Sequence, residues 1–340
     1  MPDRCTDVLK LMDFYIGTYT RGTQSDGIYH LQLNEDDYRL YCAAVADNPS
    51  WLVQADDRIV YAVAEVNDGD ASGGNLTVFM ETATGRLELT QTLPSQGDDP
   101  CHLTLMDNQL ITTNYASGSV VGYAIVRGAG LALASRVDHH GSGPDQRRQE
   151  SAHAHSSIAI QGDIVVADLG MDRLMVYNKG LELQSEVGLP PGSGPRLMAA
   201  SNGYLHVICE LSNTIETFRL ARHYEHVNST STLPDDFDGA SFTAHIALSA
   251  DGRFLYGSNR GHDSIVVMTI EDGFPKPVQW VPSGGRHPRH FTLTRDGSIL
   301  MVANRDDNNI VLYKRSEATG LLEDMDREIE VPAPVCILQV

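Results

Sequence analysis

Short apolar runs separated by polar turns fill the chain from Phe14 onward, and one unit of this pattern keeps returning. An apolar run leads into a polar loop, and a second apolar run comes back: FYIGTYT…GIYHLQL, VYAVAEVND…NLTVFME, LITTNYASGSVVGYAI, IVVADLGMDRLMVYN, LHVICELSNTIETFRL, LYGSNRGHDSIVVMTI and LMVANRDDNNIVLYKR. The first apolar residues of the returning runs are Ile28, Leu76, Val120, Leu174, Ile215, Ile265 and Ile310, in steps of 48, 44, 54, 41, 50 and 45 residues. Runs of this length, bounded by Gly, Asn and Asp, read as antiparallel strands joined by tight turns. No stretch carries convincing helical apolar periodicity. A repeat of roughly this length with several short strands per unit is the signature of a β-propeller, not of a helical solenoid.

Ahead of each unit lies one more short run ending in a turn: WLVQADDR, HLTLMDN, HSSIAIQGD, LMAASNG, HIALSADGR and HFTLTRDGS. These read as the innermost strands of their blades. The first unit has no such run before it, and the missing one stands at the other end of the chain, APVCILQV, residues 333–340. The expected fold is therefore all-β: a seven-bladed propeller of four-stranded antiparallel blades. Its ring is closed by residues 333–340 pairing with Phe14–Thr18, which removes two open sheet edges. Residues 1–13 read as a short extension and 14–340 as a single domain.

The composition is that of a globular chain, with 41% apolar residues among 340. Its charge narrows the partners: 25 basic against 45 acidic residues leave −20, which argues against nucleic acid and anionic membrane. An anionic small molecule would have to be met by a local cationic pocket. Five cysteines, Cys5, Cys42, Cys101, Cys209 and Cys336, lack metal or redox spacing and read as reduced thiols. The N-terminal residues lack a signal peptide's apolar centre and no 18-residue apolar run exists, so the expected location is cytoplasmic.

Candidate chemistry gathers at one end of the strands. Between Gly141 and Tyr177, His153 and His155 begin one strand and Asp168 ends the next, so antiparallel pairing brings them to the same rim. Aligned on their first position, the inner strands give Trp51, His102, His155, Leu197, His245, His290 and Cys336. The ends of the second strands give Tyr19, Glu65, Tyr115, Leu169, Glu210, Arg260 and Arg305. Arg196 and Arg289 enter beside the first column, each after a proline. Asn114, Asp168, Asn259 and Asn304, one residue before the second column, read as partners for strand ends, and an arginine tied to Glu210 in a structural ion pair is a competing reading. His153 and His155 could share a metal, but no H-x-H-x-D-H or H-E-x-x-H pattern completes a site, and no G-x-S-x-G elbow offers a serine nucleophile. The expectation is no metal and no cofactor. A rim of His, Arg, Glu and Asn fits a small anionic ligand better than a protein-binding scaffold, which would expose apolar anchors.

YIGTYT, NPSWL, GSGPDQRRQESAHAHSS, ADLGMDR, GPR, CELSNT, SNRGHDS and GRHPRHFTLTRDG…VANR together resemble the seven-bladed lactonase propellers over residues 14–340. That family includes the propeller-type 6-phosphogluconolactonases and, more distantly, a fungal carboxymuconate cycloisomerase. The resemblance implies metal-independent hydrolysis of a sugar-acid lactone in the pentose phosphate route. The active-site set proposed for the cycloisomerase branch, a histidine, two arginines and a glutamate, corresponds by motif to His155, Arg196, Arg260 and Glu210. Two positions depart from the family pattern, Leu197 where a histidine is usual and Arg305 where a glutamine is. Either could signal a different lactone. An imidazole is the natural base near neutral pH, and arginine forks suit phosphate, carboxylate or a developing oxyanion. The catalytic expectation is His155, Arg196 and Glu210, with the base left open between His155 and Glu210. Arg260, His102, His153, His245, Arg289, His290 and Arg305 are expected to bind substrate. The partners expected are a small anionic lactone and, at most, a second copy of the chain, with neither nucleic acid nor membrane. A cycloisomerase and a non-enzymatic ligand-binding propeller are the alternatives.

Overall fold

The computed structural model describes residues 11–35, 37–55, 58–68, 73–126, 130–221 and 223–340. The extension expected at residues 1–13 lies mostly outside these, and the first strand begins at Met12. Among the described residues, twenty-eight strands form seven four-stranded antiparallel sheets. Six blades take their four strands in chain order. Blade one is assembled from both ends: Pro334–Gln339 is its innermost strand, followed by Met12–Thr18, Gly27–Leu33 and Tyr38–Val45. Phe14 faces Gln339, Ile16 faces Ile337 and Thr18 faces Pro334, so the ring closes as the sequence leads one to expect.

Apolar pattern dictates how each strand sits. Second strands such as Asp163–Asp168 and Ile299–Asn304 are buried along nearly their whole length, being covered on both faces by neighbouring blades; continuous apolar runs are what such positions require. Outermost strands such as Leu87–Pro94 and Leu183–Gly188 are mainly exposed and polar. One apolar cluster fills each gap between blades. Phe14, Leu31, Met301 and Leu312 join blades seven and one, and Tyr61, Val78, Leu103 and Val121 join blades two and three. The innermost strands touch one another in turn around the axis.

Polar side chains lock the top of the blades together. Asn114 donates to the Ser95 carbonyl (3.2 Å), Asn259 to that of Thr232 (3.0 Å) and Asn304 to that of Ser283 (2.8 Å). Each thereby ties its own second strand to the segment leaving the previous blade. In blade four the place is taken by Asp168, fully buried, which meets His139 Nδ1 at 2.6 Å and accepts the His153 and Met171 amides at 2.9 and 3.1 Å. These four residues are braces, as strand ends in a packed ring demand.

Candidate active site

A recurring bulge sets the site. Where the innermost strands begin, pairing with the second strand skips a residue. It steps from Pro100↔Asn114 to His102↔Thr113, from Ala154↔Asp168 to Ser156↔Ala167, from Pro195↔Cys209 to Leu197↔Ile208, and from Pro288↔Asn304 to His290↔Ala303. In blade one Val335 is skipped in the same way between Pro334 and Cys336. A β-bulge leaves one residue unpaired and re-aims its side chain. The skipped residues are Cys101, His155, Arg196, Arg289 and Val335, and all five line one narrow central cavity with Ser50, Trp51, Glu65, His102 and Leu197.

This geometry corrects the sequence alignment. His155 does not stand in register with His102, Leu197 and His290; it belongs one layer higher, with Cys101, Arg196 and Arg289. The bulge is invisible to a count of apolar positions. A signal for it does exist, because a proline stands immediately before the outward layer at Pro49, Pro100, Pro195, Pro288 and Pro334. Proline lacks the amide that a ladder needs and is tolerated at strand starts and bulges.

The layer below is a floor of aromatic rings. Trp51 packs on His102 (centroids 4.3 Å), His290 (5.5 Å) and His245 (6.0 Å), and His245 lies 4.0 Å from His290. Burial, then the nearby charge of Arg196, pushes His102 and His290 down to about 3. Burial, His290 and Arg196 drive His245 well below the ordinary imidazole value. His102 Nδ1 accepts the Ser157 amide (3.4 Å) and His290 Nδ1 the Ile337 amide (3.3 Å). These three histidines, expected to bind substrate, are uncharged rings packed around Trp51, and His102 is also part of the cavity wall.

Glu210 is the electrostatic centre above that floor. It follows the second strand of blade five, Tyr204–Cys209, and its amide is held by the Gly194 carbonyl at 2.7 Å. Its Oε2 receives Arg196 Nε and Arg260 Nη2, both at 2.9 Å, while Oε1 receives Arg148 Nη2 at 2.6 Å. Burial opposes ionisation, but Arg260, Arg196 and Arg148 outweigh it and hold the carboxyl well below the usual range. Arg196 also donates to the Ala244 carbonyl, and Arg260 to those of Phe242 (3.2 Å) and Thr243 (2.7 Å). Burial, then Arg260 and Arg289, pulls Arg196 down to about 9, which leaves it protonated at neutral pH.

A second pole faces this one. Glu65 Oε1 accepts the Tyr19 hydroxyl at 2.8 Å and Arg289 Nη2 at 3.4 Å, with the Arg289 guanidinium 5.1 Å from the Tyr19 ring centre. His155 lies on the same cavity, 7% exposed, with Nδ1 buried and without a partner among the described residues. Burial, then Arg196, drives its pKa well below 6.5, so it is a neutral imidazole. Tyr115 meets His155 edge-on at 5.5 Å and stacks on His153 at 4.5 Å.

The structure therefore gathers His155, Arg196, Glu210, Arg260 and Arg289, and leaves others outside. His153 precedes its strand, and its Nδ1 meets the Tyr115 carbonyl at 3.0 Å, so it supports Tyr115. Among the described residues no group of three or more His, Cys, Asp or Glu side chains is arranged to hold a metal ion. Arg305 pairs with Asp306 (2.6 Å) and lines a separate, open cleft of about 1190 Å³ with Tyr19, Arg21 and Asn308. Sequence reasoning missed Arg148, whose loop gives no periodic signal, and placed Glu65, Tyr19 and Tyr115 on the rim without a role.

The sequence model described as "Lactonase, 7-bladed beta-propeller" matches residues 13–339. A 6-phosphogluconolactonase of Bacillus subtilis (strain 168) is 33% identical over 342 residues, covering 95% of this chain and 97% of its own. Among solved structures, a candidate 6-phosphogluconolactonase from Bacteroides fragilis NCTC 9343 superposes with a TM-score of 0.89 at 30% identity, covering 100% of both chains. A periplasmic gluconolactonase of Pseudomonas aeruginosa gives a TM-score of 0.90 at 27% identity, covering 97% of this chain and 99% of the other.

Proposed function

Because the chain belongs to the seven-bladed lactonase propeller family, we propose that it hydrolyses 6-phospho-D-glucono-1,5-lactone to 6-phosphogluconate. The observation that carries this reading is the shared cavity of His155, Arg196 and Arg289, in which an uncharged base with an unpartnered ring nitrogen lies beside two guanidinium groups. Around the cavity, Arg148, Arg196, Arg260 and Arg289 face the carboxylates Glu65 and Glu210. Four positive charges against two leave a local surplus suited to a phosphate dianion, inside a protein whose overall charge is −20.

His155 takes a proton from water as the water attacks the lactone carbonyl. The carbonyl electrons move to oxygen, where Arg196 stabilises the oxyanion. When the tetrahedral intermediate collapses, the ring C–O bond breaks and the departing alkoxide recovers the proton from the His155 imidazolium. Glu210 is a poor base, because its ionised form is held by three arginines; its work is to fix Arg196 and Arg260. Of the two residues left open as the base, these contacts favour His155.

A phosphorylated sugar does not cross membranes freely, and the described cysteines Cys42, Cys101, Cys209 and Cys336 are free thiols. Both support a cytoplasmic place in the pentose phosphate route. No helix among the described residues is long and apolar enough to cross a membrane. The deciding assay follows freshly generated 6-phosphogluconolactone with purified protein, subtracting spontaneous hydrolysis. Turnover lost in His155→Gln supports the reading; a wild-type rate equal to the spontaneous one refutes it.

A further inference from the structure

Resting on that lactonase reading, we propose that Arg148 is the specificity residue that captures the substrate's phosphate, leaving Glu210 to do so. The four guanidinium groups at the site are unequally committed. Arg196 is 3% exposed and divides its donors between Glu210 and the Ala244 carbonyl. Arg260 is held by Glu210 and by two backbone carbonyls. Both are anchored by these buried partners, which fixes Arg196 beside the reacting carbonyl and leaves neither free to swing towards a phosphate. Arg289 is enclosed by Tyr19 and Glu65.

Arg148 differs on each count. Its side chain is 34% exposed, and its short contact is the one to Glu210 Oε1, supplemented by Tyr115 Oη at 3.4 Å. Its guanidinium carbon lies 5.8 Å from the ring centre of Phe242, an exposed aromatic at the mouth of the site. When Arg148 lets go, Glu210 keeps Arg196 and Arg260 on Oε2, so its charge stays compensated and the exchange costs little. An incoming phosphate offers the same planar fork a doubly bonded partner.

The loop that carries Arg148 is built to hold its backbone still while the side chain moves. Asp145 Oδ1 accepts the Arg147 and Arg148 amides at 2.9 and 3.2 Å. Gln149, fully buried, donates Nε2 to the Leu169 carbonyl and to Asp172, both at 2.8 Å, and its Oε1 accepts the Asp145 amide at 3.1 Å. Replacing the Arg148 side chain therefore leaves the loop's anchors in place.

The test compares wild type, Arg148→Met and Arg148→Lys on 6-phosphogluconolactone and on unphosphorylated glucono-1,5-lactone, with calorimetric binding of 6-phosphogluconate as a second readout. Arg148→Met should raise KM for the phosphorylated lactone roughly 10- to 30-fold, the lower end for a truncated charge pair because part of the side chain stays in water. kcat/KM on the unphosphorylated lactone should stay within about threefold, 6-phosphogluconate should bind more weakly, and Arg148→Lys should recover part of the loss. Equal losses on both lactones, falling on kcat, would make Arg148 a positioning residue for Glu210 and overturn the proposal. So would unchanged 6-phosphogluconate binding in Arg148→Met. A wild type that hydrolyses neither lactone but binds 6-phosphogluconate through Arg148 would sink the assigned reaction and keep the phosphate site.

Discussion

As the proposed base, His155 would work only while uncharged, and its surroundings keep it so. Burial and Arg196 lower its pKa, so the neutral, working form persists as pH falls through the range where a free imidazole would protonate. kcat, which reports groups in the substrate complex, should therefore hold from pH 7 down past pH 6 and decline only at more acid values. An acid limb centred near 6.5 would count against His155 as the base. His155→Gln should cut kcat roughly 10²-fold or more with KM little changed. Glu210 makes the opposite kind of prediction. Three guanidiniums converge on it, so Glu210→Gln should leave buried charge uncompensated and destabilise folding by about 3–5 kcal/mol, read by denaturant unfolding. A Glu210→Gln protein with unchanged stability and only slower turnover would make Glu210 catalytic after all. Because none of these roles routes through a metal, exhaustive chelation should leave turnover intact; loss restored by one divalent ion would return His153 and His155 to consideration as ligands.

At the scale of the strand, the closing element decides whether there is a ring. Pro334–Gln339 covers the inner edge of Met12–Thr18 and sends Val335 into the central cavity. Deleting residues 333–340 should abolish both cooperative unfolding and activity, and a truncated protein with an unchanged melting profile would contradict this. This element was fully legible in the sequence, since six inner runs precede their partners and the seventh stands displaced at the chain's end. Apolar alternation marks strands and turn residues mark their order, so the blades could be counted. The site was legible only in part. Arg196, Glu210, Arg260 and Arg289 were found because strand ends converge on one rim, but His155 was aligned one layer too low. A bulge shifts register by one residue without altering composition, so pattern counting passes over it. His102, His245 and His290 are drawn into the site by residue type, and the structure packs all three rings around Trp51 with His102 on the cavity wall. Arg148 was missed because a loop's reach across two blades is written in tertiary contacts, not in periodicity.

The charge of the whole molecule runs against the proposed substrate. A net charge of −20 would oppose an anionic lactone at long range, and salt near 0.1 M screens that field beyond about 10 Å. Capture should thus quicken or stay constant as salt rises from low values, measured as kcat/KM at fixed pH. A steep fall would mean that exposed cationic residues steer the encounter. The ring's mode of closure has a further consequence, for synthesis. Thr18 is translated long before its partner Pro334, and at ordinary elongation rates of about 5–20 residues per second the interval is roughly 15–60 s. Throughout that time the nascent N-terminal sheet carries an unpaired, apolar edge in a crowded cell. The ribosome's pace and the chaperones at its exit thereby become part of how much working enzyme a cell obtains. A chain cut short before Pro334 would carry His155 and all the arginines of the proposed site and no closed ring to hold them.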